Sequence, residues 1–194
     1  MILQDDMILY HGSYTEVKTI DLSLCAEGKD FGKGFYLTSD FAPASRFVKT
    51  AVAKALKNGV IKEPVESGFV SSFRFTRIAD VSFFEFEEAS RKWLHCVAAH
   101  RHSGLLSDEI KKFEKLDVIT GKIANDTTNQ VITAYMNGLS GTVGSEAADS
   151  IAISLLLPNK LSNQICFRSE SSLRCLTFIE CKEVPIRRQS YESK

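Results

Sequence analysis

The chain has no surplus of charge, carrying 24 basic and 24 acidic residues for a net charge of zero. That balance gives none of the basic surface needed for general nucleic-acid binding, so a nucleic-acid substrate would have to be recognised locally. No apolar run is long enough to span a bilayer, and the opening MILQDDMILY sets Asp5 and Asp6 where a secretion signal needs an apolar centre. A cytoplasmic chain without membrane association is expected. Cysteine is sparse and unpaired: Cys25, Cys96, Cys166, Cys175 and Cys181 are odd in number and form no CxxC, which reads as buried reduced thiols. Neither an internal repeat nor a low-complexity tract is present.

What remains is the composition of an ordinary globular domain, 194 residues with 44% hydrophobic content. Met7 to Tyr10 reads as a strand delivering His11-Gly12 to a loop, and Phe35 to Thr38 as a second strand. Ser39-Asp40 supplies capping chemistry for a helix through Phe41, Phe47, Val48 and Leu56 that closes at Asn58-Gly59. Gly68 to Phe75 and Val81 to Phe86 have aromatic, β-branched strand character and are expected to pair with each other. From 87 to 157 the apolar spacing turns helical, predicting a mostly helical insertion. Strand alternation returns at Asn163 to Arg168 and Cys175 to Cys181, and a polar tail follows from 185 to 194. The reading is one α+β domain over 1–184.

The chemistry concentrates in Tyr10-His11-Gly12-Ser13 and in Phe31 to Tyr36 (FGKGFY), because neither helix nor sheet needs two glycines bracketing a lysine before consecutive aromatics. The GKG lacks a following serine or threonine and precedes a strand, which argues against a P-loop, although Lys33 can still touch a pyrophosphate. His95, Cys96, His100 and His102 share a predicted helix but have no second cysteine pair beside them, so no metal is expected. Asn125-Asp126 ahead of Thr127 to Tyr135 reads either as a helix N-cap or as a polar pair facing a substrate.

Taken in order, LYHGS, then FGKGFYLTSDFAPASRF, then a strand opening Asn163-Gln164 resemble the catalytic domain of poly(ADP-ribose) polymerases and the wider diphtheria-toxin group of ADP-ribosyltransferases. The chain is more similar still to a bacterial domain family without assigned function that shares the YHGS, DFGKGFY, Ala-Asn-Asp and NQICF stretches. The resemblance implies a split, mostly antiparallel sheet with NAD in the cleft between its halves. It also implies a triad at His11, Tyr36 and Gln164, the last standing where the group has glutamate. Gly12 would bind the nicotinamide amide through its main chain, His11 would donate to a ribose hydroxyl with Ser13 nearby, and Tyr36 and Phe47 would sandwich the nicotinamide.

Glutamine keeps the hydrogen bond of the usual glutamate but not its charge, and a charge ~4 Å from a developing cation is worth about 4 kcal/mol at an effective dielectric of 20. Glu170 and Asp126 are candidates to compensate, and Gln164→Glu is expected to raise the rate of an enzyme and leave a binding module unchanged. By resemblance, loss of the glutamate limits transfer to one ADP-ribose, and Ser162, two residues earlier, disfavours arginine as acceptor. The expectation is an NAD-dependent mono-ADP-ribosyltransferase acting on a protein or nucleic-acid acceptor, as a bacterial toxin with an antitoxin partner. An NAD- or ADP-ribose-binding module without activity and an NAD glycohydrolase are the alternatives.

Overall fold

A computed structural model describes residues 3–123, 126–156 and 162–186. Among these residues seven strands form two sheets. The first has the order β1 (Ile8–Ser13), β3 (Ser67–Phe75), β7 (Leu176–Pro185); the second has the order β2 (Phe35–Leu37), β6 (Asn163–Phe167), β5 (Val118–Lys122), β4 (Phe83–Glu85). All pairings are antiparallel except that of β4 with β5. The helices are α1 (Phe41–Lys57), α2 (Arg91–Arg101), α3 (Ser107–Lys111), α4 (Asp126–Met136), α5 (Glu146–Leu155) and α6 (Glu170–Leu173). The α+β class is as expected.

The layering follows from the alternation of each strand. Leu9, Phe73 and Phe75 of the first sheet meet Phe35, Leu37, Ile165 and Phe167 of the second in one apolar layer. On the outer side of the first sheet, Val70 and Val184 pack under α1, whose Ala44, Val48, Val52 and Ala55 recur at helical spacing. On the outer side of the second sheet, Ile119 and Cys166 pack with Trp93, Ile132, Tyr135 and Ala152 of the helices.

Three expectations are corrected here. His11, Gly12 and Ser13 belong to β1 itself rather than to a loop after it. The strands at Gly68–Phe75 and Val81–Phe86 do not pair: β3 is flanked on both sides by β1 and β7, while β4 adds to β5 in the other sheet. The described residues of the stretch from 87 to 157 carry four helices but also β5, an interior strand of the second sheet. VITGK is too short to show a period between helices, and Gly121 lowers its strand character. That glycine is required by packing, since a Cβ there would lie 2.8 Å from Phe31 Cζ and 3.1 Å from Trp93 Cδ1.

At the boundaries, Asp40 caps α1 by position only, its side chain making no cap hydrogen bond, and Gly59 takes φ +69° after the Asn58 C-cap. Pro185 and Ile186 still align with the first sheet through Ser67 and Glu66. The remainder of the expected tail, 187–194, lies outside the described residues.

Candidate functional site

The two sheets touch through an isolated bridge at Tyr10 and Thr38, where each N–H donates to the other's carbonyl at 2.9 Å. Continued in that register, Gly12 would next pair with Tyr36. Instead the His11 ring enters the seam and its Nδ1 lies 2.8 Å from Tyr36 O. Side-chain donation replaces the ladder, and the strands part. Because main-chain groups alternate along a strand, the N–H and C=O of Gly12 lie on the same edge as those of Tyr10, now beyond the last bridge.

A carbonyl only accepts, so His11 Nδ1 carries the proton and the neutral ring leaves Nε2 as an acceptor. Burial lowers the His11 pKa, with the bond to Tyr36 O opposing that shift, which favours the neutral ring. His11 would therefore accept from a ligand hydroxyl rather than donate to one, a change from the expected direction. Its ring lies against Phe35, with centroids 4.3 Å apart.

Tyr36 and Cys166 are directly paired across β2 and β6, and Gln164 is two residues from Cys166, so all three share the helix-facing side of the second sheet. The Tyr36 hydroxyl donates to Gly32 O at 2.8 Å and accepts from Phe31 N at 2.9 Å. Burial beside Cys166 raises its pKa, holding it as the phenol. Gln164, 8% exposed, donates through Nε2 to Asp30 Oδ2 at 2.6 Å and to Lys122 O at 3.0 Å. The loop from Asp30 to Gly34 is thus tied down at both ends of this face.

Asp30 extends the cluster outward. Its Oδ1 receives Arg101 of α2 through Nη2 at 2.5 Å and Nε at 2.8 Å, and Arg101 Nη1 reaches Asn129 Oδ1 of α4 at 2.5 Å. Asp30 and Arg101 escaped the sequence reading; the only signal was that Asp30 heads the DFGKGFY stretch. Asn129 borders an open surface groove of about 460 Å³ with Thr133, Asn137 and Leu139.

The remaining predicted residues fall as follows. Gly12 faces α1, where a Cβ would lie 2.1 Å from Ala44 O, so helix packing alone requires glycine there. Ser13 is buried, its hydroxyl accepting from Thr15 N at 3.4 Å. Phe47 is 46% exposed on α1, with the Lys54 ammonium 5.8 Å from its ring centroid. Lys33 sits at the opposite end of β6 from Gln164, in a polar cavity with Asp117, Arg168 and Ser169. Glu170 opens α6 at that same far end, more than about 10 Å of strand from Gln164, which removes it as a compensating carboxylate. Asn125 lies outside the described residues, as does the side chain of Asp126; the latter's main chain opens α4. The cavities described lie at α4 and at the Lys33 end of β6, not between the sheets.

Cys96 and His100 stand one helical turn apart, with His100 Nδ1 directed to Cys96 O at 2.8 Å. Among the described residues no three His, Cys, Asp or Glu side chains are grouped to hold a metal, and no helix is long and apolar enough to cross a membrane.

Residues 7–178 match the model of a family described as Protein of unknown function (DUF3990). The chain belongs to that family. No curated protein and no solved structure matches it.

Proposed function

We propose that the chain is an NAD-dependent mono-ADP-ribosyltransferase with its site at the parting of β1 and β2. The observation that carries this reading is the opening at His11, which leaves the Gly12 main-chain pair past the last bridge with no strand partner on that edge among the described residues, next in sequence to a ring whose Nδ1 is already used. A free N–H and C=O side by side complement a primary carboxamide, and a ring acceptor complements a ribose hydroxyl. Gln164, two strands away on β6, supplies a further polar group, and exposed Phe47 offers an aromatic face at little cost to the core.

In this reaction the bond between the nicotinamide nitrogen and ribose C1′ breaks, its electron pair leaving with neutral nicotinamide. The oxocarbenium-like carbon is then attacked by a nucleophile of a protein or nucleic-acid acceptor, which releases its proton to solvent. His11 and Gln164 hold the ribose, and Gly12 orients the leaving group. A bacterial toxin acting in the cytoplasm, restrained by an antitoxin protein, suits such an activity. One observation favours a second reading, a module that binds NAD or ADP-ribose without cleaving it: the carboxylate that meets Gln164 among the described residues, Asp30, is already paired with Arg101.

The test is release of free nicotinamide from NAD by purified protein, beside Phe47→Ala. Because Phe47 is exposed, its loss should leave stability within about 0.5 kcal/mol while weakening NAD affinity roughly tenfold through lost stacking. Nicotinamide release that weakens in this way supports the transferase; NAD binding without release supports the module; no binding removes NAD from the account.

A further inference from the structure

We infer that Asp30 is a positioning residue that fixes Gln164 as a hydrogen-bond acceptor toward its ligand, so that a glutamine presents the polarity of a glutamate oxygen. This deepens the proposed function and rests on it.

A primary amide has two N–H donors and one carbonyl oxygen. Gln164 Nε2 lies 2.6 Å from Asp30 Oδ2 and 3.0 Å from Lys122 O, a carboxylate oxygen and a main-chain carbonyl. Neither partner can donate, so the nitrogen must occupy that side and both of its hydrogens are used. Among the described residues no hydrogen bond is made to Gln164 Oε1, which is left as the group that meets a ligand. The ligand partner must then be a donor, as a ribose hydroxyl is.

Asp30 is itself oriented from outside the site. Arg101 holds Oδ1 through two nitrogens, which leaves Oδ2 directed at Gln164. The Arg101 side chain is 15% exposed and that of Asp30 10%, so this ion pair is shielded and its geometry is constrained more than a surface pair's. Asn129 in turn receives Arg101, linking the orientation of Gln164 to α4, the helix that opens at Asp126.

Three variants discriminate this role from simple packing. In Asp30→Asn, the side-chain oxygen is drawn to Arg101 and its NH2 meets the NH2 of Gln164, so the glutamine amide turns and shows a donor to the ligand. In Gln164→Glu alone, two carboxylates face one another at the spacing of a hydrogen bond, and one must hold a proton or turn away, which reverses the gain in rate expected from the sequence. In Asp30→Asn/Gln164→Glu, the new NH2 donates to the new carboxylate, whose second oxygen is again an acceptor toward the ligand, while the oxygen beside Lys122 O no longer has a hydrogen to donate to it.

The experiment follows nicotinamide release and urea midpoints for the wild type and these three variants. The expected result is a loss of about tenfold or more in kcat/KM for each single variant while folded, the effect of one misdirected hydrogen bond, and a partial recovery in the double to a rate above that of either single variant. Wild-type rates in folded Asp30→Asn, or losses that simply add in the double variant, overturn the inference. NMR of the Gln164 side-chain amide in the wild type, assigned by its disappearance in Gln164→Glu, decides the positioning without activity. Shifted signals protected from solvent exchange uphold it, and freely exchanging ones overturn it. A wild type that releases no nicotinamide instead removes the transferase reading, whatever the amide signals show.

Discussion

Gly12 of β1 and Ala44 of α1 approach so closely that a Cβ on the glycine would stand 2.1 Å from the alanine carbonyl oxygen. The obstructing atom is main chain in the first turns of a helix, so no rotamer change relieves it. Gly12→Ala should therefore cost at least about 2 kcal/mol, by forcing α1 off the first sheet. A urea titration of the variant checks this, and the same shift should appear with or without NAD. Lost activity in Gly12→Ala would accordingly say nothing about nicotinamide unless it is measured per folded molecule.

Tyr36 presents a similar coupling of site and structure. Its hydroxyl accepts from Phe31 N and donates to Gly32 O, and Phe31 is wholly buried among Phe86, Trp93 and Ile119. Tyr36→Phe leaves a donor and an acceptor of the loop unpaired while keeping the ring. The expected cost is about 1–3 kcal/mol, with faster amide hydrogen exchange at Phe31. Unchanged exchange there would show that the loop is held by the Phe31 side chain alone.

Sequence periodicity carried the elements with a strong single signal. The helix α1 and the strands at Phe35 and Asn163 lie where the pattern put them, but of the apolar residues expected to mark the helix only Val48 is in its buried stripe of Ala44, Val48, Val52 and Ala55, and Phe47 is exposed. β5 was illegible because five residues between helices give too little alternation, and that omission turned a sheet strand into part of an insertion. The pairing of β3 failed for a different reason: a nine-residue strand can accept partners on two edges, and neither partner, β1 nor β7, adjoins it in sequence in the way β4 does. Of the site, the motif residues could be singled out, but the bonds to them could not. Asp30 reaches Gln164 across 134 residues, and Arg101 reaches Asp30 across 71.

Two histidines set a pH dependence. Burial lowers the pKa of His11 and of His100 below the ordinary value of 6.5. A lowered folded-state value means that the unfolded chain binds the proton more readily. The stability each contributes is present above pH 6.5 and is lost as pH falls through the folded pKa, by about 1.4 kcal/mol for each unit of lowering. His11→Asn keeps a donor for Tyr36 O and cannot titrate. Urea midpoints between pH 7.5 and 5 should fall less steeply for this variant than for the wild type, and less again when His100 is also replaced. Parallel slopes in wild type and His11→Asn would show that His11 titrates alike in both states.

The helical layer is pinned at one buried carboxylate. Asp149 of α5, 2% exposed, receives Arg91 Nε at 2.5 Å and His95 Nε2 at 2.9 Å from α2, and the Tyr135 hydroxyl at 2.5 Å from α4. Burial, and then the bond to Asp149, raise the Tyr135 pKa, and Gly144 N donates to the same hydroxyl at 2.9 Å. Asp149→Asn removes the charge and turns one acceptor oxygen into a donor group facing other donors, so a loss of about 3–5 kcal/mol is expected in urea unfolding. Yet α2 is held at its far end by Arg101 on Asp30, roughly 15 Å along the axis from Arg91, and Gln164 donates to Asp30 and to Lys122 O, not to this cluster. Nicotinamide release per folded molecule should therefore survive Asp149→Asn. If it were lost while the fold persisted, α2 would be transmitting the loss to Arg101, and the orientation of Gln164 would depend on the whole helical layer rather than on its own two partners.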